Sequence, residues 1–367
     1  MNLSAGIVGL PNVGKSTLFN TLTNLQVEAA NYPFATIEPN VGTVKVWDER
    51  LIALGKLINP IKLTPATCSF TDIAGLIKGA SKGEGLGNQF LANIRETDAI
   101  CHVVRCFSDN SITHVMDGVD PIRDIEIINT ELIIADLDSL EKKWPKIISA
   151  SRSGKPEAVF EENVAKKVMD TLKANKFIDL NAYTSKEQEI INKYNLITTK
   201  PVLYVANIDE SDISNPEQNI NYKKVLDYAK GKSLVIPLAI AMEFEISKLS
   251  DEEKIIFLKD MNIKEAGVNK LINKTYELLN IQTFFTFGPD ETKAWSFKKG
   301  MTACQCAGII HTDIQKGFIR AEVTDSKDLI NLGSEIKVKE NGKLRIEGKD
   351  YMLKDGDVCY FRFNVSK

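Results

Sequence analysis

Short apolar runs alternate with amphipathic segments along roughly the first hundred residues. Ala5 to Leu10, Thr67 to Asp72 and Ala99 to Val104 read as buried strands. Lys15 to Leu25 and Glu49 to Ile58 read as helices between them. That alternation predicts right-handed crossovers and a largely parallel sheet, the α/β class. The pattern resumes with strands at Val202 to Asn207 and Ser233 to Leu238.

A different texture separates the two blocks. Ile133, Leu137, Leu140 and Trp144 recur at three- and four-residue spacing and predict one apolar helical face within Asp124 to Trp144. Pro145 and the loop Ser149 to Pro156 are expected to end that helix. Phe160, Val164, Val168 and Leu172 stand in register on a second one. The two predict an antiparallel helical hairpin inserted in the α/β domain. From about Ile281 the chain turns β-rich. Cys359, Phe361, Phe363 and Val365 alternate with polar neighbours, and Ile319, Ala321 and Val323 do the same against Phe318, Arg320 and Glu322. The expected division is therefore residues 1–122 with 199–280, an insert at 123–198, and a separate small domain at 281–367.

Composition narrows the partners. With 43% hydrophobic and 26% charged residues and a net charge of -3, the chain has no general basic surplus for nucleic acid. Any such contact needs a local patch, and the outward positions Phe318, Arg320, Tyr360 and Arg362 offer aromatic and basic chemistry for one. No apolar run approaches membrane-spanning length, and Leu3 to Leu10 lacks the flanks of a signal peptide, so no membrane association is expected. The six cysteines lie mostly inside apolar runs without paired metal-ligand spacing, as expected of reduced core thiols in a cytoplasmic protein.

The chemistry concentrates at Gly9-Leu10-Pro11-Asn12-Val13-Gly14-Lys15-Ser16, followed by Thr17. It fits the phosphate-loop pattern, between a strand and a helix as that pattern requires. Gly14 permits a tight turn whose amides point at anionic oxygens beside a helix N-terminus. Lys15 places a charge on the β- and γ-phosphates, and Ser16 offers a hydroxyl to Mg²⁺. Asp72 closes a later strand in Asp72-Ile73-Ala74-Gly75. That is where an Asp of the Mg²⁺ shell and a glycine amide for the γ-phosphate belong, the latter from Gly75. Thr36 is the candidate switch hydroxyl on Mg²⁺, and the glycine-rich stretch Gly79 to Gly87 is placed to order and disorder with γ-phosphate occupancy. Leu76 occupies the place where many GTPases carry a water-orienting glutamine, so intrinsic hydrolysis should be slow or another group must orient the water. His114, in the polar loop Ser108 to Asp120, is the candidate catalytic group. His102 lies inside a strand and reads as structural.

A guanine site normally presents Asn-Lys-x-Asp. Here Asn207-Ile208-Asp209-Glu210 replaces the lysine by Ile208 and the aspartate by the longer Glu210, which weakens the guanine clamp. ATP is expected to be accepted and preferred over GTP. A conventional GTPase, and a nucleotide-gated ribosome or RNA adaptor with negligible turnover, stay open as alternatives.

The order Gly-Leu-Pro-Asn-Val-Gly-Lys-Ser-Thr, Asn31-Tyr32-Pro33-Phe34-Ala35-Thr36, Asp72-Ile73-Ala74-Gly75-Leu76 and Asn207-Ile208-Asp209-Glu210 resembles the YchF family of Obg-like ATPases. Lys293-Ala294-Trp295, Ile309-Ile310-His311-Thr312-Asp313 and Lys316 to Val323 resemble its TGS domain, a β-grasp fold. The resemblance covers essentially the whole chain. It implies ATP hydrolysis and ribosome binding, through rRNA or a ribosomal protein. It also implies phosphate binding by Asn12 to Thr17, Mg²⁺ ligation by Ser16 and Thr36, and an adenine framed by Asn207 with Ile208. Asn12 raises K⁺ as a further cofactor, and the family's loop histidine corresponds to His114.

Overall fold

The computed structural model describes residues 3–25, 40–73, 86–109, 118–263 and 265–364. The chain begins β1 (Ser4–Val8), α1 (Lys15–Asn24), β2 (Val41–Lys45), α2 (Glu49–Ile58), β3 (Lys62–Thr64), β4 (Thr67–Asp72), α3 (Leu86–Glu96) and β5 (Ala99–Arg105). Next come α4 (Pro121–Ser151), α5 (Pro156–Lys173), α6 (Ser185–Tyr194), β6 (Val202–Asn207), α7 (Ile220–Ala229) and β7 (Leu234–Leu238). They are followed by α8 (Ile240–Ser247), α9 (Asp251–Asp260) and α10 (Gly267–Leu278). The last part holds β8 (Ile281–Thr286), β9 (Glu291–Lys298), α11 (Ala303–Ile310), α12 (Thr312–Lys316) and β10 (Phe318–Asp325). It closes with α13 (Ser326–Leu332), α14 (Glu335–Glu340), β11 (Arg345–Glu347) and β12 (Asp357–Phe363).

The first sheet runs β2-β4-β1-β5-β6-β7, with β2 antiparallel to β4 and the other pairs parallel. Every residue of β5 and β6 is buried, as a parallel sheet covered on both faces demands. From β1 the chain leaves toward β2 and β4, and from β5 it leaves toward β6. A crevice therefore opens beyond the carboxyl ends of β1 and β5, where α/β sheets bind ligands.

Helix α4 departs from expectation. It runs unbroken from Pro121 to Ser151 with Pro145 inside it. Pro145 and Glu141, whose carbonyl loses its amide partner, are both exposed, so water can satisfy the freed oxygen. The helix also begins before the expected insert boundary and serves two cores. Ile125, Ile128 and Leu132 pack with the parallel sheet, whereas Leu140 and Ile147 pack with Val164, Val168 and Leu172 of α5 and Ile191 of α6. Helix α6, started by a Thr184–Glu187 capping box, makes the insert more than a hairpin. Phe160 is 39% exposed and stands outside this core. Asp136, fully buried, fastens the insert: it accepts hydrogen bonds from the Ile197 and Thr198 amides at 3.0 and 2.7 Å and pairs with Arg95 of α3 at 2.9 Å.

The second sheet runs β11-β10-β12-β8-β9-β3. The β8–β9 hairpin, the crossing helix α11 and the parallel β12–β8 pair at its centre give the β-grasp arrangement. Its edge strand β3 comes from the nucleotide domain and pairs parallel with β9, so the terminal sheet is joined to that domain. Arg50 of α2 reinforces the joint, bonding Asp355 at 2.6 Å and lying over the Phe285 ring. A register shift between Phe318 and Arg320 breaks the expected alternation at its start, while Ala321 and Val323 are fully buried as expected. Ile319 is 60% exposed, while Phe318 packs on Phe361 with ring centroids 6.1 Å apart. The outward face therefore keeps Arg320, Tyr360 and Arg362 but not Phe318. Glu322 lies between the two arginines, 2.9 Å from Arg362 and 3.5 Å from Arg320.

Candidate nucleotide site

Strand β1 delivers the chain to the crevice, and the loop after it is shaped by its backbone. Asn12 adopts φ 61 and Gly14 φ 104, both left-handed. At Gly14 a Cβ would lie 2.7 Å from the Asn207 amide nitrogen, so only glycine fits. Val13 is buried beneath the loop while Asn12 is exposed. Helix α1 starts at Lys15 with no side-chain cap from Gly14 and no acidic residue in its first turn. Its leading amides thus face the crevice as donors for an anion.

Lys15 is 7% exposed and donates to the Leu10 carbonyl at 2.7 Å. Burial pulls its pKa down to about 8, against the opposing pull of Asp72. Asp72 sits at the end of β4, its carboxyl pushed up by burial and partly held down by Lys15. The two therefore share one electrostatic environment, as a phosphate lysine and a metal-side carboxylate do. Ser16 is exposed and Thr17 half-buried in the first turn of α1. Ser16 and Asp72 offer the hard oxygen donors that suit Mg²⁺, with phosphate oxygens and water to complete the shell. His102 is 2% exposed and its pKa is driven to about 3, first by burial and then by Lys15, so it serves as a neutral part of the core.

Asn207, at the end of β6 and 7% exposed, ties the loop after β1 to the turn after β7. Its amide donates to the Val13 carbonyl at 3.0 Å, and its side-chain oxygen accepts from the Ile240 amide at 3.1 Å. The Ile208 side chain is 3% exposed in the main core and its amide bonds the Leu238 carbonyl, so any contact it makes with a base runs through its backbone. Glu210 is exposed at the head of a short 3₁₀ turn. Asp209 accepts from the Ser108 amide at 3.1 Å, tying this loop to the one after β5.

Thr36, Gly75, Leu76 and His114, with most of the Gly79 to Gly87 stretch, lie outside the described residues. The turn Ala239-Ile240 was not anticipated as part of the site. It carries no polar side chain, and its only sequence signal is its place after a buried strand.

The parallel sheet, the loop at its switch point and the Lys15–Asp72 pair define a phosphate-binding-loop nucleotide hydrolase of the GTPase type. A family model described as a 50S ribosome-binding GTPase matches residues 4–151, and the YchF-GTPase C-terminal model, described as a protein of unknown function, matches residues 281–364. The chain belongs to the YchF family. It is 50% identical over 366 residues to the ribosome-binding ATPase YchF of Bacillus subtilis and 47% identical over 365 residues to that of Escherichia coli O157:H7, with 100% of each chain covered. The solved structure of the Schizosaccharomyces pombe YchF GTPase matches with a TM-score of 0.87 at 38% identity, over 98% of both chains.

Proposed function

We propose that this chain is a Mg²⁺-dependent, ATP-preferring triphosphatase that works in the cytoplasm as a nucleotide-switched, ribosome-associated regulatory factor. The observation that carries the reading is the buried Lys15 beneath a loop whose carbonyl at Val13 is held by Asn207. In this reading the loop amides and Lys15 bind the β- and γ-phosphates, with Gly75 adding an amide. Ser16, Asp72 and Thr36 hold Mg²⁺, which would offset charge on the transferred phosphoryl group. Asn207, the Ile208 backbone and Glu210 border the base, and Glu210 in place of aspartate favours adenine. His114 would orient the attacking water in place of the missing glutamine, and Asn12 would help hold K⁺, which would supply further positive charge toward the phosphates. The relatives' names, ribosome-binding ATPase, support the ribosome as the partner. The exposed Arg320, Tyr360 and Arg362 are a place where rRNA would meet the terminal domain.

Side-by-side titration of ATP and GTP is the direct test. ATP should bind tighter, and tighter GTP binding would restore the conventional GTPase. Single-turnover ATP cleavage with and without ribosomes should show acceleration by ribosomes. An unchanged rate, with ATP still controlling ribosome binding, would favour the adaptor. A rate indifferent to exchanging K⁺ for Na⁺ would remove the K⁺ role.

A further inference from the structure

Glu243 is a buried carboxylate that none of the roles above uses. It lies one turn into α8 and is 3% exposed. Its two oxygens accept from the Gly267 amide at 2.8 Å and the Val268 amide at 3.2 Å, the leading amides of α10. Ala266, the residue before α10, provides no side-chain cap, so a residue of another helix does that work. The approach is close: a Cβ at Gly267 would lie 2.3 Å from the Leu238 side chain and 2.8 Å from Glu243.

Each end of this contact leads somewhere. Toward the nucleotide, α8 opens at Ile240, whose amide bonds Asn207 and whose side chain reaches to within 3.3 Å of the Cβ position of Gly14. Away from it, α10 carries Tyr276, whose hydroxyl donates to the Thr67 carbonyl of β4 at 3.0 Å and lies 2.6 Å from the Ser296 hydroxyl of β9. Helix α10 thus touches the strand that ends in Asp72 and a strand of the second sheet.

We propose that Glu243 is a positioning residue for the base end of the nucleotide site. By bonding both leading amides of α10 it holds the Ala239–Ile240 turn against Asn207, and so links base occupancy to α10 and the β-grasp sheet. The inference rests on the reading that the base lies beside Asn207 and the β7–α8 turn. A cap serving folding alone would steady α10 whether or not a base is bound. A positioning role makes a narrower demand: ligands with a base should depend on Glu243, and inorganic tripolyphosphate, which fills only the phosphate loop, should not.

The deciding experiment needs no substitution. Hydrogen exchange at Gly267 and Val268 is followed in the intact protein, free and saturated with ATP or with tripolyphosphate. ATP should slow exchange at both amides by about fivefold or more, and tripolyphosphate should leave it unchanged. Equal effects of the two ligands, or none from ATP, overturn the proposal. In parallel, Glu243→Gln, which sets an amide NH₂ against a backbone donor, should weaken ATP about tenfold with tripolyphosphate affinity preserved. Gly267→Ala, pressing on Glu243 from the other side, should do the same. Parallel loss of both ligands, or loss of neither, in a variant that still melts cooperatively counts against the proposal. Failure of the unmodified protein to bind ATP would instead defeat the proposed function, whatever Glu243 does.

Discussion

On the proposed reading, the phosphate end and the base end of the site are built on opposite plans. At the phosphate end the ligand-facing groups are backbone amides and one buried lysine, already satisfied by Leu10. Almost any nucleoside triphosphate fits such a cradle. At the base end Glu210 is exposed, and the buried Asn207 side chain is occupied holding protein to protein. On the proposed reading, general affinity resides in the loop backbone and selectivity in a few replaceable positions. A chain of this class can change its base preference without rebuilding its phosphate loop.

The largest expected effect falls on the phosphate end. Lys15→Met keeps the aliphatic stem and removes the charge, so single-turnover cleavage should fall about 100-fold or more, equally for ATP and GTP. A rate within about threefold of the unmodified protein would mean that the lysine does not stabilise the developing charge. Next comes the group that joins the two ends. Asn207→Ala strands the Val13 carbonyl and the Ile240 amide in the interior, at about 1–3 kcal/mol each. Chemical unfolding should show a loss of that order, and tripolyphosphate should weaken along with ATP. If only ATP weakened, the Val13 bond would not be shaping the loop, and the two ends would be more independent than the geometry indicates.

The two ends also differed in how plainly the sequence announced them. The loop was legible because strand, glycine turn, lysine and helix are contiguous, and local geometry alone requires those residue types. Asp72 was legible from its place at a strand end. The base end was half legible: Asn207 and Glu210 followed a recognisable strand, but Ala239 and Ile240 have no polar signature. Glu243 acquires its role only from α10, at a separation of 24 residues. The same physics explains the errors elsewhere. The shift at Ile319 depends on the partner register of β12, and Pro145 is tolerated because its side of α4 faces water. The β3–β9 pairing joins residues far apart in the chain, and neither segment's own pattern encodes the other. Local rules pointed to the candidate site, and long-range packing decided what it was attached to.

A pH measurement separates the ends without mutation. Burial leaves the Lys15 pKa at about 8 in the free protein, so the side chain is mostly charged at pH 7 and mostly neutral at pH 9. Phosphate oxygens beside it favour the charged form and raise that value on binding. ATP binding at pH 9 should therefore take up between about half and one proton, and close to none through this group at pH 7. Calorimetry in two buffers of different ionisation heat reads the number directly. After allowance for the proton that free tripolyphosphate itself carries near pH 9, it should give the same uptake as ATP, because the proton belongs to the phosphate end. No uptake at pH 9 with either ligand would show that Lys15 does not meet the phosphates.

The smallest effect, and the most selective, is expected at Glu210. The residue is exposed, so Glu210→Asp should leave stability unchanged to within about 0.5 kcal/mol. Shortening the side chain by one methylene restores the length that a guanine clamp uses, and the ratio of GTP to ATP affinity should rise about five- to tenfold. Cleavage chemistry should not change, because the phosphate end is untouched. The comparison breaks if the ratio stays fixed: base choice would then reside in the Ala239–Ile240 turn and the Ile208 backbone rather than in a carboxylate. A similar rise in the affinity of both nucleotides would be equally damaging, since it would make Glu210 a matter of general electrostatics and not of base shape.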